Sequence, residues 1–124
     1  MKTAQHFLEE ANSVVPRISA EEAKNFHGKS NAVFVDVRDS GDIAKSGTVK
    51  DAVCIPRGFI EFAADENTPL YNPALKQDAD IYLVCGAGGQ AALAGKTLKD
   101  MGYNSVTNIG GFGDWKEAGG PVEI

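Results

Sequence analysis

The chain has 124 residues, a formal net charge of −5 and two cysteines, and this length allows one domain with a hydrophobic core of its own. The acidic balance disfavours nucleic acid as a partner, since phosphates would be repelled, although a local cluster of donors suffices to bind a small anion. Because no apolar segment is long enough to cross a bilayer and no signal-peptide core is visible, we expect no membrane contact and a cytoplasmic location with reduced thiols.

The first part of the chain alternates helices with two extended segments. Apolar residues at helical spacing predict a helix over residues 3–15. After the short segment Arg17–Ile18, Ser19 is the predicted N-cap of a helix over residues 20–26. The β-branched run over residues 33–37 lacks polar alternation, which is typical of a strand that is covered on both faces.

The middle of the chain contains the next two strands. A short helix is predicted over residues 39–45 and a third strand at Val53–Ile55. Turn-forming residues predict a loop over residues 64–79. The apolar run Ile81–Cys85 predicts the fourth strand, and a helix follows over residues 89–101.

The end of the chain repeats the alternation. A last strand is predicted over residues 106–109, Gly110–Gly111 turns the chain, and a short helix follows over residues 112–118. Strands that alternate with helices predict an α/β fold, a parallel sheet flanked by helices on both faces. We therefore predict an N-terminal helical extension, residues 1–15, and one α/β domain, residues 16–124.

The most informative residue is Cys85, which lies where a buried strand gives way to a helix. Amide donors and the positive end of the helix dipole favour the thiolate, the nucleophilic form of cysteine. Three glycines in the next four positions allow the backbone to curl around a bound anion. The alternative is that Cys85 is an ordinary buried apolar residue. The Cys85 loop consists of Cys85, Gly86, Ala87, Gly88, Gly89 and Gln90.

Several short motifs occur in a set order along the chain. They are Asp36-Val37-Arg38, Gly47-Thr48-Val49, Ile55-Pro56-Arg57-Gly58, the Cys85 loop, Ala94-Gly95-Lys96-Thr97-Leu98, Met101-Gly102-Tyr103, and Gly110-Gly111-Phe112 with Trp115. In this order and spacing, residues 17–122 resemble a single-domain rhodanese, a thiosulfate sulfurtransferase-like module. The resemblance implies the rhodanese-like fold, a five-stranded parallel sheet flanked by helices on both faces. It also implies that the loop after the fourth strand carries a cysteine that cycles through a persulfide.

The resemblance implies a two-step transfer of sulfur. The Cys85 thiolate attacks the outer sulfur of a small anionic donor such as thiosulfate, expels sulfite and becomes a persulfide, which the loop amides stabilise. Cyanide, a small thiol or a protein thiol then removes the sulfur, so the kinetics are ping-pong. The chemistry requires no cofactor. No metal site is predicted either, because the two cysteines have neither CxxC spacing nor a histidine cluster.

The Cys85 loop departs from the family pattern at two positions. Gln90 and Gly86 stand where the family commonly has an arginine and a polar or cationic residue. An amide side chain donates hydrogen bonds but brings neither charge nor the bidentate fork of arginine. We therefore expect weaker binding of thiosulfate. The length of the loop resembles that of sulfurtransferases, whereas phosphatases of the same fold have a loop one residue longer.

Two residues outside the loop are candidates to assist catalysis, Arg57 and Asp36. Arg57 follows the third strand, on the rim where ligands approach, and either supplies part of the missing charge or pairs with Glu61 or Asp65. The position of Asp36 faces the loop arginine in the family. Here Asp36 is expected to hydrogen-bond Gln90 or the loop backbone.

Two further residues have expected structural roles. Arg38 is expected to pair with Asp42, as the family position usually pairs with an acidic residue a few positions on. Cys54 is interpreted as a core residue. In the fold that the resemblance implies, the second strand separates Cys54 from Cys85, and two strand spacings of ~4.8 Å exceed the ~7 Å Cα separation of a disulfide.

Two functions stay open at this point. The first is an active sulfurtransferase that uses Cys85 and the loop amides. The second is a weakly active or inactive rhodanese-like module, which acts as a persulfide carrier or as a regulatory domain that binds a protein partner. Such a partner would use the N-terminal helix and the surface at Phe59–Phe62.

Overall fold

The computed structural model describes all 124 residues, Met1–Ile124. The helices are α1 (Ala4–Val14), α2 (Ala20–Ala23), α3 (Ser40–Ser46), α4 (Ile60–Ala63), α5 (Gly89–Asp100) and α6 (Phe112–Glu117), with short 3-10 turns at Lys24–Phe26 and Arg57–Phe59. The strands are β1 (Ala32–Asp36), β2 (Thr48–Val49), β3 (Val53–Cys54), β4 (Asp80–Cys85), β5 (Ser105–Gly111) and β6 (Val122–Glu123). The longest helix, α5, has 12 residues, and none of the helices is long and apolar enough to span a membrane.

The main sheet has four parallel strands in the order β3-β1-β4-β5, not the five that the family resemblance implied. At the β5 edge, the fifth strand is reduced to one parallel bridge between Arg17 and Asn108. Two backbone hydrogen bonds hold this bridge, from Asn108 N to Pro16 O (2.9 Å) and from Ile18 N to Asn108 O (3.0 Å). Pro16 has no N–H to extend the ladder, and Ser19 already caps α2, so the segment is too short to form a strand.

The prediction of helices on both faces is confirmed by two separate cores. On one face, α4 and α5 cover the sheet around Leu83 and Cys85. On the other face, α2 and α6 pack with Val84 and Trp115. Side chains along a strand alternate between the faces, so Val84 and Cys85, which are neighbours in β4, enter different cores.

The N-terminal helix α1 packs on its own domain, against α5. The methyl groups of Val15 approach Gly95 so closely that a Cβ at Gly95 would overlap them, at 2.9 Å. Leu8 lies beside Gly89, at the start of α5. The apolar side of α1 therefore covers the helix that begins at the Cys85 loop.

Two details of the chain's end differ from the sequence-based prediction. Gly110 and Gly111 belong to β5 rather than to a turn. In addition, β2 and β6 form a small antiparallel ribbon, with Thr48 opposite Glu123, that the sequence did not predict. Both strands of this ribbon have two residues, and a run that short has no detectable period.

Candidate functional site

Cys85 is the last residue of β4, and only 2% of its surface is exposed. Its Sγ accepts hydrogen bonds from the backbone N–H of Gly88 (3.0 Å) and of Ala91 (3.4 Å). Both donors come from the loop and the first turn of α5, where helix N–H groups have no partner within the helix. Amides arranged in this way stabilise negative charge at a sulfur atom.

The conformation of the loop depends on glycine at two positions. Gly88 has a φ of +108°, in the left-handed region that favours glycine. A Cβ on Gly88 would also overlap the guanidinium of Arg17, and a Cβ on Gly111 would overlap the carbonyl oxygen of Gly86. The end of β5 thus supports the loop by direct backbone contact.

Asn108 binds the loop from strand β5, and the sequence analysis did not identify this residue. It lies in β5, fully buried, and its Nδ2 donates to the carbonyl oxygen of Gly88 at 2.9 Å. Its Oδ1 accepts from the N–H of Gly110 at 2.8 Å. The available signal was an amide side chain inside an otherwise apolar run, because a buried polar residue needs a partner.

Arg17 is a second residue that sequence reasoning missed as part of the site. Its Nη2 donates to the carbonyl oxygen of Ala87 at 3.1 Å, across 70 positions of the chain. The guanidinium lies between Gly88 and Gly110, in space left free by two missing Cβ atoms. Nothing in the local sequence pattern indicates a contact this distant.

The other residues of the loop differ in exposure. Gly86 and Ala87 are exposed, Gly88 is buried and Gly89 is half-buried. Gln90 is exposed on the first turn of α5, and its side chain donates no hydrogen bond within the chain. The position where the family commonly has arginine therefore points a neutral amide towards solvent.

Asp36 does not form the predicted hydrogen bond with Gln90 or with the loop backbone. It is fully buried at the end of β1, and its carboxylate is bound by Arg38 and Thr48. The Nη2 of Arg38 and the Oγ1 of Thr48 each donate to Oδ2 at 2.8 Å. The N–H and Nε of Arg38 donate to Oδ1 at 3.0 and 3.1 Å. The carboxylate is thereby committed to a buried structural pair.

The same pair corrects the expected partner of Arg38. Arg38 binds Asp36 and not Asp42, because a turn after β1 brings two residues only two positions apart face to face. The guanidinium also donates to the oxygen of Gly47 at 2.8 Å and lies 4.5 Å from the ring centroid of Phe112.

Arg57 forms one of the two ion pairs that the sequence left open. Its Nη1 lies 3.3 Å from Oε1 of Glu61, and its Nη2 donates to Oγ1 of Thr97 at 3.3 Å. Thr97 lies about two turns further along α5 than Gln90, roughly 10 Å along the helix axis. In this conformation the guanidinium is bound to Glu61 and Thr97 and forms no hydrogen bond with a loop residue.

Cys54 is exposed, and its interpretation as a core residue is wrong. It lies on a two-residue edge strand, where one side has no neighbouring strand to cover it. Although the residue is exposed, partial burial of its thiol and the nearby Asp36 carboxylate raise the pKa of Cys54. The backbone register aligns Cys54 with Asp36 and Val84, on the face opposite Cys85.

A cavity of about 570 Å³ lies away from the Cys85 loop. It is lined by the segment after α4 and by Met101 and Tyr103, which follow the far end of α5. Burial, with smaller effects from neighbouring Tyr71 and acidic side chains, raises the pKa of Tyr103 to about 12. No cluster of His, Cys, Asp or Glu side chains in the protein is arranged to hold a metal ion.

Comparison with known proteins places this chain in a family. Residues 19–118 match the Rhodanese-like domain family. A solved structure from Rhodopseudomonas palustris, of a protein of unknown function described as a possible tyrosine phosphatase, superposes with a TM-score of 0.93 at 36% identity, covering 99% of this chain and 96% of that one. The polysulfide-sulfur transferase of Wolinella succinogenes superposes with a TM-score of 0.74 at 26% identity, covering 94% and 83%.

A curated relative adds a comparison at the level of sequence. YrkF of Bacillus subtilis, named as a candidate sulfur carrier protein, is 30% identical over 116 residues, which cover 92% of this chain and 57% of that protein. The chain spans only about half the length of the curated relatives it matches, 57% of one and 53% of another.

Proposed function

This chain belongs to the rhodanese family, and on that premise we propose that it transfers sulfane sulfur through a persulfide on Cys85. The observation that carries the proposal is the pair of amide donors at Sγ, from Gly88 (3.0 Å) and Ala91 (3.4 Å). Amides prearranged around a sulfur stabilise negative charge there without having to reorganise during the reaction.

The first step loads the cysteine. The Cys85 thiolate attacks the outer sulfur of a small anionic donor such as thiosulfate, and a new S–S bond forms. The bond between the two donor sulfurs breaks, and its electron pair leaves with sulfite. The product is Cys85 persulfide, whose negative charge lies on the terminal sulfur, next to the loop amides.

The second step unloads it. An acceptor nucleophile, either cyanide or a thiolate, attacks the terminal sulfur, and the electron pair of the S–S bond returns to Sγ of Cys85. Cyanide becomes thiocyanate, whereas a thiolate becomes a persulfide. Exposed Gly86 and Ala87 form a rim without bulky side chains, over which either a small acceptor or a protein thiol can approach.

The names of two relatives support sulfur as the transferred group. One is a polysulfide-sulfur transferase and the other is named as a candidate sulfur carrier. The same site is compatible with a carrier role as well, because a persulfide that is stable on Cys85 can transfer its outer sulfur to a protein thiol.

Phosphatase activity, suggested by the description of one structural neighbour, is a poorer fit to the residues. The loop has the length that resembles sulfurtransferases, and it presents neutral Gln90 where a phosphate dianion needs a bidentate cation. Asp36, the carboxylate at the end of the neighbouring strand, is bound by Arg38 and is not free to protonate a leaving group.

Intact mass spectrometry tests the proposal directly. After incubation with thiosulfate, or with polysulfide as a second donor, the protein is expected to gain one sulfur atom and to lose it on addition of cyanide. Cys54→Ser should gain the sulfur, and Cys85→Ser should not. A protein that gains no sulfur from either donor would refute sulfur transfer and leave the binding module as the better account. Hydrolysis of an aryl phosphate would favour the phosphatase.

A further inference from the structure

Arg17 lies on the opposite side of one peptide group from the cysteine sulfur. Its Nη2 donates to the carbonyl oxygen of Ala87 at 3.1 Å. The N–H of Gly88 belongs to the same peptide group and donates to Sγ of Cys85 at 3.0 Å. In a trans peptide the C=O and the N–H point in opposite directions, so a single peptide plane links the guanidinium to the sulfur.

We propose that Arg17 is the positioning residue of the Cys85 loop and the source of the positive charge that Gln90 does not provide. The hydrogen bond from Arg17 to the carbonyl oxygen of Ala87 orients the peptide group so that the N–H of Gly88 points at Sγ. The same hydrogen bond polarises the peptide group, which makes this N–H a stronger donor. Hydrogen bonds that share a peptide group strengthen one another in this way. This proposal rests on the proposed function, because the anion it serves is the thiolate or persulfide of Cys85.

The charge of Arg17 is available to the loop. The chain has three arginines. Arg38 is paired with Asp36 and Arg57 with Glu61, whereas Arg17 has no carboxylate partner in the protein and donates to the loop. The two hydrogen bonds and the peptide group between them set an upper limit of about 8 Å on the distance from Nη2 of Arg17 to Sγ of Cys85. That is comparable to the ~8 Å Debye length at physiological ionic strength, so solvent ions screen the attraction only partly.

Arg17 is an exposed residue whose backbone is held beside the loop. Its backbone forms the bridge to Asn108, and the Asn108 side chain holds the carbonyl oxygen of Gly88. Arg17 and Asn108 therefore bind consecutive carbonyl groups of the loop, those of Ala87 and Gly88. The guanidinium fills the space left by the missing Cβ atoms of Gly88 and Gly110, so a side chain at Gly88 would displace it.

Alkylation of Cys85 by a neutral and by an anionic reagent distinguishes the effect of the Arg17 charge from a change in the structure of the loop. All variants carry Cys54→Ser, because Cys54 is exposed. The readout is the rate with iodoacetate divided by the rate with iodoacetamide, which reports the electrostatic potential at Sγ and needs no sulfur donor. Arg17→Gln should lower this ratio about three- to tenfold, since it removes a charge at this range. Arg17→Lys should restore most of it.

Lys76→Gln is the matched control, because it removes the same charge from an exposed residue at the far cavity. It should leave the ratio unchanged. In parallel, Arg17→Gln should raise KM for thiosulfate more than it lowers kcat, because charge attracts the donor before the reaction. An unchanged ratio in folded Arg17→Gln, or an equal fall in Lys76→Gln, would overturn the proposal.

If Arg17→Gln does not fold, the salt dependence of the same rate ratio can be measured on the protein that retains Arg17. If Arg17 sets the potential at Sγ, the iodoacetate ratio should fall as salt is added, because salt screens an attraction. A ratio that rises with salt would show that the net negative charge of the protein dominates at Cys85, and the proposal would be wrong. Because alkylation is independent of sulfur transfer, a failure to form persulfide leaves this result interpretable.

Discussion

The side chain of Asn108 holds the carbonyl oxygen of Gly88, with Nδ2 and the oxygen 2.9 Å apart and both residues buried. Strand β5 is thereby attached to the loop that surrounds the cysteine. The same side chain accepts the N–H of Gly110 at 2.8 Å. One amide side chain therefore binds the backbone of the loop and the backbone of β5 at the same time.

Replacing Asn108 with leucine should therefore loosen the loop and destabilise the fold. The change keeps the volume but leaves the buried N–H of Gly110 without its side-chain partner, which costs ~1–3 kcal/mol. It also removes one of the two hydrogen bonds to the carbonyl oxygen of Gly88, which still accepts the N–H of Ala92. We expect the free energy of unfolding in urea to fall by about that amount or more, and persulfide formation to slow. Thr107→Val, at the half-buried neighbouring position, is the control and should have little effect. Equal losses in both variants would contradict a specific role for Asn108.

Replacing Gln90 with arginine should improve the use of thiosulfate. Gln90 is exposed on the first turn of α5, at the mouth of the loop. A charge-assisted hydrogen bond contributes ~1.5–3 kcal/mol, which corresponds to roughly a tenfold to hundredfold increase in kcat/KM. Gln90→Glu should act in the opposite direction, because it repels the dianion. Unchanged steady-state kinetics in the folded arginine variant would show that the site is not built around this donor.

The Asp36→Asn variant tests whether the carboxylate is structural. It leaves the guanidinium of Arg38, which is 8% exposed, without its counter-ion. Breaking a buried pair in this way typically costs ~3–5 kcal/mol. We expect a large loss of stability in urea, while the protein that remains folded still gains sulfur on Cys85. Asp42→Asn, at the partner that the sequence suggested, should cost little. Loss of persulfide formation at unchanged stability would instead return Asp36 to the site.

The parts of this fold that the sequence predicted are those with a local pattern. The β-branched run at Val33–Val37, the apolar run before Cys85 and the glycines after it each indicate their own structure, because periodicity and turn chemistry act over a few residues. The strand at Val53–Ile55 was predicted too, but the exposure of Cys54 was not. Which strand forms an edge is a property of the whole sheet.

The residues that the sequence missed or misplaced are determined by long-range contacts. Arg17 meets Ala87 across 70 positions, and no spacing rule covers such a distance. Asp36 binds Arg38 because Thr48 and the turn after β1 close around them. In the family, the residue at the position of Asp36 faces an arginine of the loop. This chain has Gln90 in place of that arginine, and Asp36 is bound by Arg38 and Thr48 instead.

Tyr103 should make stability depend on alkaline pH. Its hydroxyl lies 2.9 Å from the carbonyl oxygens of Ala64 and Leu75. Burial raises its pKa from an ordinary value of 10.0 to about 12. The folded protein therefore holds this proton more tightly than the unfolded chain. This contribution to stability is complete below about pH 10 and is lost as the pH rises from 10 towards 12.

Tyr103→Phe should show the complementary behaviour. Loss of the hydroxyl hydrogen bond costs ~1 kcal/mol at neutral pH, and the difference from the parent protein should shrink above pH 10. The measurement is urea denaturation at a series of pH values. Tyr71→Phe, in the same cavity, is the control and should keep the alkaline decline. A constant difference between the parent and Tyr103→Phe across this range would show that Tyr103 does not cause it.

Sulfur loaded on Cys85 should stay there and not move to Cys54. The two cysteines lie on opposite faces of the sheet, with β1 between their strands. The pKa of Cys54 is raised by partial burial and by the Asp36 carboxylate, so at neutral pH its thiol is protonated and poorly nucleophilic. Its alkylation in Cys85→Ser should be slow at neutral pH and should accelerate only above the pH range in which a free thiol ionises.

Peptide mapping of the loaded protein should find the extra sulfur on Cys85 alone, and mild oxidation should give no bond between the two cysteines. A Cys54–Cys85 disulfide, or persulfide on Cys54 that depends on Cys85, would require the sheet to open between them and would refute the placement of the two thiols on separate faces.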